Sequence, residues 1–266
     1  MAVLDRFFKR SRARDGAQAS VPELAATADV AADWRAGLPP EAAALVRPCY
    51  LPETAAGPFG NRSGFGGVPY LPRGVEHPVC QGCWLPMTLF VQLRLDELPN
   101  HTEEGPSGLL QLFYCTNEEP DLCERSLNSW APLSAGGALR IVSAQGGSVS
   151  DVPPRYPTQT ITGWHEELDL PNWEELRSMG IVLEEQLALR LMNQDLPRVG
   201  DKLAGWPAWV RGVDYPSCPV CGATMRLVFQ LESADHVPFK FGNSGTGHIT
   251  QCETHRNLVA FGWVCD

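Results

Sequence analysis

The chain has no apolar run near the roughly 18 to 20 residues that a membrane span needs, so no transmembrane helix is expected. Its first residues also lack the continuous apolar stretch of a secretion signal, because Arg6, Lys9, Arg10, Arg12 and Arg14 interrupt it. The expected location is therefore the cytoplasm, where thiols stay reduced. Positive charge is scarce: 21 Lys and Arg stand against 31 Asp and Glu, a net charge of −10. That argues against a nucleic-acid binder, whose affinity rests on cationic neutralisation of phosphates, and it suits a basic protein partner. Signatures of catalysis are missing too. There is no nucleophile elbow, no zinc-protease helix and no deaminase motif. The glycine-rich runs 60–67 and 242–247 lack phosphate-loop or dinucleotide spacing and read as tight turns. One acid/base candidate, His165 with Glu166, Glu167 and Asp169, reads as a charged strand end.

What the chain does have is 25 Gly, 23 Pro and 8 Trp in a sequence that is 44% apolar, a composition of many turns between short strands around a core. Residues 1–20 read as a flexible basic tail, and 21–46 as one or two helices broken at Pro39-Pro40. After Cys49, short apolar runs at 87–95, 109–115, 139–143, 159–164, 225–231, 248–252 and 258–264 read as strands. A helix is expected over 171–192, with Leu183, Leu187 and Leu191 on one face. The Ser/Pro/Gly-rich stretch 146–157 is the join. The expected fold is thus α+β and mainly antiparallel β, with a module over 21–145, a second over 146–266 and a few peripheral helices.

The two modules are related to each other. Slid by 138 positions, residues 67–93 lie over 205–231 without a gap, and 12 positions are identical, among them Gly67/Gly205, Pro69/Pro207, Cys80/Cys218, Cys83/Cys221 and Gln92/Gln230. An offset of 137 then places Gly108 over Gly245 and Cys115 over Cys252. A duplicated unit packed about a pseudo-two-fold axis is the physical reading, because neither unit alone buries its apolar face.

Each half carries four candidate metal ligands: Cys80, Cys83, Cys115 and Cys123 in the first, Cys218, Cys221, Cys252 and His255 in the second. A Cys-x-x-Cys turn lets two thiolates reach one ion, and a second pair from elsewhere completes a tetrahedron. Soft thiolates select zinc, and four protein ligands leave no open position, so two structural zinc ions are expected. In the second set Cys265 is an alternative to His255. Disulfides are disfavoured by compartment, and a redox pair lacks its βαβ context. Cys49 reads as a small buried hydrophobe. His77 and His248, near the metal loops, read as outer hydrogen-bonding partners of the ligands.

The stretches 66–72 (Gly-Gly-Val-Pro-Tyr-Leu-Pro), 87–93, 202–209 (Lys-Leu-Ala-Gly-Trp-Pro-Ala-Trp) and 260–264 resemble the YwqG-like bacterial proteins of unassigned function, a likeness covering roughly 45–266. Several of those proteins lack the cysteines, so the zinc expectation rests on this sequence. Gly66, Gly67, Pro69, Cys80, Cys83, Gln92, Phe113, Cys115 and Cys123 also resemble the programmed cell death protein 2 family, although its inserted MYND-type finger is missing here. That resemblance implies escort of a small-subunit ribosomal protein. The leading expectation is a zinc-stabilised adaptor or chaperone for a basic protein, with Tyr70, Trp84, Trp206 and Trp209 as loop anchors. Core packing is the alternative role of those four rings. The other functional classes are an immunity protein against a toxin and a hydrolase with its site between the modules.

Overall fold

The computed structural model describes residues 33–103, 105–118, 123–124, 130–134 and 137–266, and the basic tail and the helical expectation over 21–32 lie outside them. Residues Trp34–Asp266 form one compact unit. Its frame is a ten-stranded antiparallel sheet in the order β12-β11-β10-β9-β1-β8-β2-β4-β5-β6. The strands are β1 (Arg47–Ala56), β2 (Gly64–Phe65), β4 (Thr88–Arg94), β5 (Leu109–Tyr114), β6 (Gly137–Val142), β8 (Gln159–Asp169), β9 (Lys202–Ala204), β10 (Arg226–Glu232), β11 (Thr246–Gln251) and β12 (Val259–Val264). A separate two-stranded ribbon pairs β3 (Tyr70–Pro72) with β7 (Gly147–Val149). The end strands β6 and β12 come into contact, so the sheet curls into a near-barrel.

The order is palindromic. From the central β1–β8 pair the sheet continues through β9, β10, β11 and β12 on one side, and through β2, β4, β5 and β6 on the other. Local geometry repeats with it. The Gln92 amide donates to Gly60 O and Arg62 O while its oxygen accepts from Tyr70 N–H. Gln230 donates to Gly200 O and Arg198 O and accepts from Ala208 N–H. Both glutamines are wholly buried, so each one's full set of bonds is needed to offset desolvation.

Alternation decides which face each side chain takes. In β5, Leu110, Leu112 and Tyr114 point into the near-barrel, where they join Phe90, Phe229, Phe241, Ile249 and Phe261 in a single core drawn from both halves. Phe113 and Cys115 point outward, with Met87 and Leu89, into a smaller cluster. Met225 and Cys252 do the same on the other half. Two outward-facing apolar nests result, one under each Cys-x-x-Cys turn.

All seven expected strands form, within a residue or two except that β8 runs on to Asp169. One expectation needs correction, and one strand is additional. The helix over 171–192 is two helices, α2 (Trp173–Ser178) and α3 (Glu185–Met192), preceded in the chain by the short α1 (Pro40–Ala43). Gly180 breaks it, with φ of 82° and its N–H donated back to Arg177 O. Leu183, Leu187 and Leu191 still pack together, beside Leu170 and Leu176. Strand β1 is not among the expected strands, and it carries Pro48 and Pro52, residues that suit a strand with a largely unpaired edge. It pairs with β8 along its length but with β9 only at Cys49 and Tyr50, so much of its second edge needs no N–H donor.

Candidate metal centres

Each Cys-x-x-Cys pair sits in a tight knuckle closed by backbone bonds. Cys80 N–H donates to Leu85 O at 2.9 Å and Trp84 N–H to Cys80 O at 2.8 Å. In the second half Cys218 N–H donates to Ala223 O at 2.8 Å and Gly222 N–H to Cys218 O at 2.8 Å. Short bridges, Val79 to Pro86 and Ser217 to Thr224, pin the knuckle stems. The remaining ligands come from the ends of β5 and β11 and the turns beyond them.

The structure brings both predicted sets together. Cys80, Cys83, Cys115 and Cys123 place their sulfurs within 4.8 Å of one another, as do Cys218, Cys221, Cys252 and the Nδ1 of His255. Cys80 to Cys123 and Cys83 to Cys115 are 3.8 and 3.7 Å apart, and Cys221 to Cys252 is 3.6 Å. A disulfide requires about 2.05 Å, so these thiols are not bonded to each other. A tetrahedral ion with metal–sulfur bonds of about 2.3 Å sets sulfur–sulfur edges of about 3.8 Å. His255 Nδ1 lies 3.7 Å from both Cys218 and Cys252, again a tetrahedral edge. Both sets can hold a metal ion. Cys265, the alternative fourth ligand, instead lies against Gly242, where an added Cβ would meet its sulfur at 2.4 Å.

The knuckle amides prepare the thiolates. Cys221 and Val220 N–H groups hold the Cys218 thiol down to about 6. At Cys80 burial pushes the thiol up, but the amides of Cys83 and Gly82 and the neighbouring sulfurs outweigh it and bring it to about 7. The thiolate is the form that binds metal.

The other singled-out residues separate. Trp84 stands 75% exposed, Tyr70 and Trp209 are half-buried, and Trp206 is buried. The expectation of an exposed anchor therefore does not hold at Trp206. Its indole donates to Leu45 O, and the Arg47 guanidinium lies 3.5 Å over its ring. His165 and Glu166 are exposed, whereas Asp169 is wholly buried against Lys202, so the four residues form no joint acid/base cluster. His77 bonds Met87 O and Ser150 Oγ. Cys49 is buried as expected, its thiol pushed up to about 12 by burial and by Asp169. A third group, Asp201, Asp235 and His236, is bonded within itself and to neighbouring amides.

His248 sits on the outer face of β11 with Trp209 tilted over it at 4.7 Å. Burial, with Lys202 adding to it, pushes its pKa down to about 3. An unfolded histidine binds a proton below about 6.5, and the folded one refuses it until about pH 3. This group's contribution to stability is thus full above pH 6.5 and lost as pH falls below it, by up to about 1.4 kcal/mol per pH unit. His248→Gln is expected to remove that one-proton slope between pH 6.5 and 5. Urea unfolding of both proteins across that range reads the difference, and equal slopes would refute the assignment.

Comparison with known proteins returns a family and one relative. The profile of a family described as "Domain of unknown function (DUF1963)" matches residues 63–253, a span that holds seven of the eight ligands. A Salmonella typhimurium protein, "Uncharacterized protein YpfL", is 42% identical over 52 residues, which is 20% of this chain and 12% of that protein. The match therefore spans about an eighth of that relative's length.

Proposed function

From the premise that the chain belongs to the family described as Domain of unknown function (DUF1963), we propose that it is a zinc-stabilised protein-binding module, an adaptor or chaperone for a basic partner. The thiolate-rich donor sets favour zinc over harder ions, and sets of four protein ligands suit a structural and not a catalytic ion. The charge of −10 supports a basic partner, and the resemblance to the ribosomal-protein escorts points to the same class.

The observation that carries the reading is Trp84. It holds a left-handed backbone, φ of 61°, at the knuckle position where the second half has Gly222 at φ of 72°. A tryptophan there is strained, and its ring is exposed, so neither backbone nor core requires it. Val79 and Leu85 beside it are exposed as well, giving the knuckle an apolar tip of the kind that anchors partners.

Trp84→Gly should therefore separate stability from binding. Relief of strain is expected to stabilise the fold by about 1 kcal/mol. Capture of the partner from native cells should fall by about tenfold or more. Capture equal to wild type would remove Trp84 as the anchor. A secreted toxin as the captured protein would make the module an immunity protein.

A further inference from the structure

The second half contains a cleft that the first half fills. It encloses about 430 Å³ and is walled by Trp130 and Trp209, with Asp214 at its rim and His248 and Thr250 at its floor. His248 and Thr250 are 5% and 2% exposed, yet His248 Nε2 and Thr250 Oγ1 find no hydrogen-bond partner among the described residues. Buried polar atoms without partners are rare in native proteins and ask for an occupant.

The internal correspondence shows what kind. In the first half the ladder aligns Gln92, Gln111 and Arg140, and in the second it aligns Gln230, His248 and Gly262. By the same offsets Phe113 corresponds to Thr250 and Glu76 to Asp214. The first-half space is occupied by the Arg140 guanidinium, which lies 4.9 Å from the Phe113 ring centroid. Its Nε donates to Gln111 Oε1 at 3.1 Å and its Nη1 to Glu76 O at 3.0 Å. At the corresponding strand position Gly262 supplies no side chain, and Trp130 and Pro132 fold over it instead.

We propose that this cleft binds a guanidinium supplied in trans, the arginine side chain of the basic partner. The Trp130 and Trp209 indoles replace the single phenyl ring as faces for a planar cation, and Trp130, 59% exposed, leaves the approach open. His248 and Thr250 offer acceptors at the floor where Gln111 does so in the first half, and Asp214 offers a carboxylate at the rim. Arg211, also on the lining, is exposed, so solvent screens its charge. Burial keeps the imidazole neutral, so it does not repel a cation.

The arginine source rests on the protein-binding reading, and the experiment separates the two. N-acetyl-arginine methylamide is titrated into the full metal-loaded chain while the indole N–H resonances of Trp130 and Trp209 are followed by NMR. Saturable shifts are expected, absent with the neutral citrulline counterpart and at least about tenfold weaker in Thr250→Val and Trp130→Ala. Metal content and melting temperature of both variants serve as folding controls. No saturable shift, or equal shifts from citrulline, overturns the site. Loss of partner capture in Trp130→Ala supports the partner's arginine as the occupant. Undiminished capture in that variant, with probe binding weakened, overturns that source. Probe binding without any partner captured by the wild type sinks the binding-module reading and leaves the guanidinium site standing.

Discussion

Purified under reducing conditions without chelator, the chain is expected to carry two zinc ions, and Cys80→Ser and Cys218→Ser to carry one each. Mass spectrometry under native conditions and elemental analysis read the count. The expected effect on stability is large. Structural zinc contributes about 10 to 16 kcal/mol of apparent binding free energy in small zinc modules, whereas whole domains hold only about 5 to 15 kcal/mol. Stripping both ions with a strong chelator should therefore unfold the chain or lower its melting temperature by tens of degrees. The reason lies in where the ligands sit. Cys80 and Cys115 belong to the apolar nest with Phe59, Met87, Leu89 and Phe113, so loss of the ion removes the link that ties the knuckle to the end of β5 while the thiolates take up protons. Cys218 and Cys252 stand likewise with Met225 and Ala260. A metal-free preparation that melts at the same temperature would falsify the zinc assignment.

The two candidate ligand sets were legible because metal chemistry admits few residue types at fixed spacing, and the 138-residue offset placed the same turn twice. The strands were legible because most of them alternate or stay apolar. What escaped the sequence depends on partners far along the chain. Nothing local marks Lys202 as buried, since its carboxylate comes from the end of β8. The cleft over His248 escaped because its lining comes from four separate stretches, and because its meaning lies in a side chain that Gly262 lacks. Trp84 and Trp206 look alike as loop aromatics. Only the fold separates them, one over a knuckle tip and the other beneath the Arg47 guanidinium. Strand β1 was missed because its two prolines and mixed burial give no local strand pattern, and the fold accepts them where one edge is barely paired.

The second large effect is expected at Asp169, the polar hub where β8, β9 and the following loop meet. Lys202 Nζ donates to Asp169 Oδ2 at 2.8 Å, and both side chains are wholly buried. The carboxylate also accepts from Trp206 N–H at 2.8 Å, Arg198 N–H at 2.8 Å and Leu170 N–H at 3.0 Å. Gly205 makes this possible, since an added Cβ would meet Oδ2 at 2.4 Å. Asp169→Ala leaves one buried ammonium and three amides without an acceptor, and about 3 to 5 kcal/mol of stability should be lost. Lys202→Met is expected to cost less, because three N–H donors still stabilise the carboxylate that remains. The double substitution removes both charges, so it should lie well short of the sum of the two. It should also stay below wild type, because the three amides still lack their acceptor, and that residue of the loss measures Asp169 as a backbone organiser. Urea unfolding of the metal-loaded proteins gives all four values. If Lys202→Met were as costly as Asp169→Ala and the two costs simply added, the ion pair would not be the coupled unit its geometry describes. The loop fixed by Trp206 N–H leads on to Ala208, held by Gln230, and so to the second knuckle. Loss of Asp169 should therefore also loosen the zinc held by Cys218, while the ion at Cys80 stays in place.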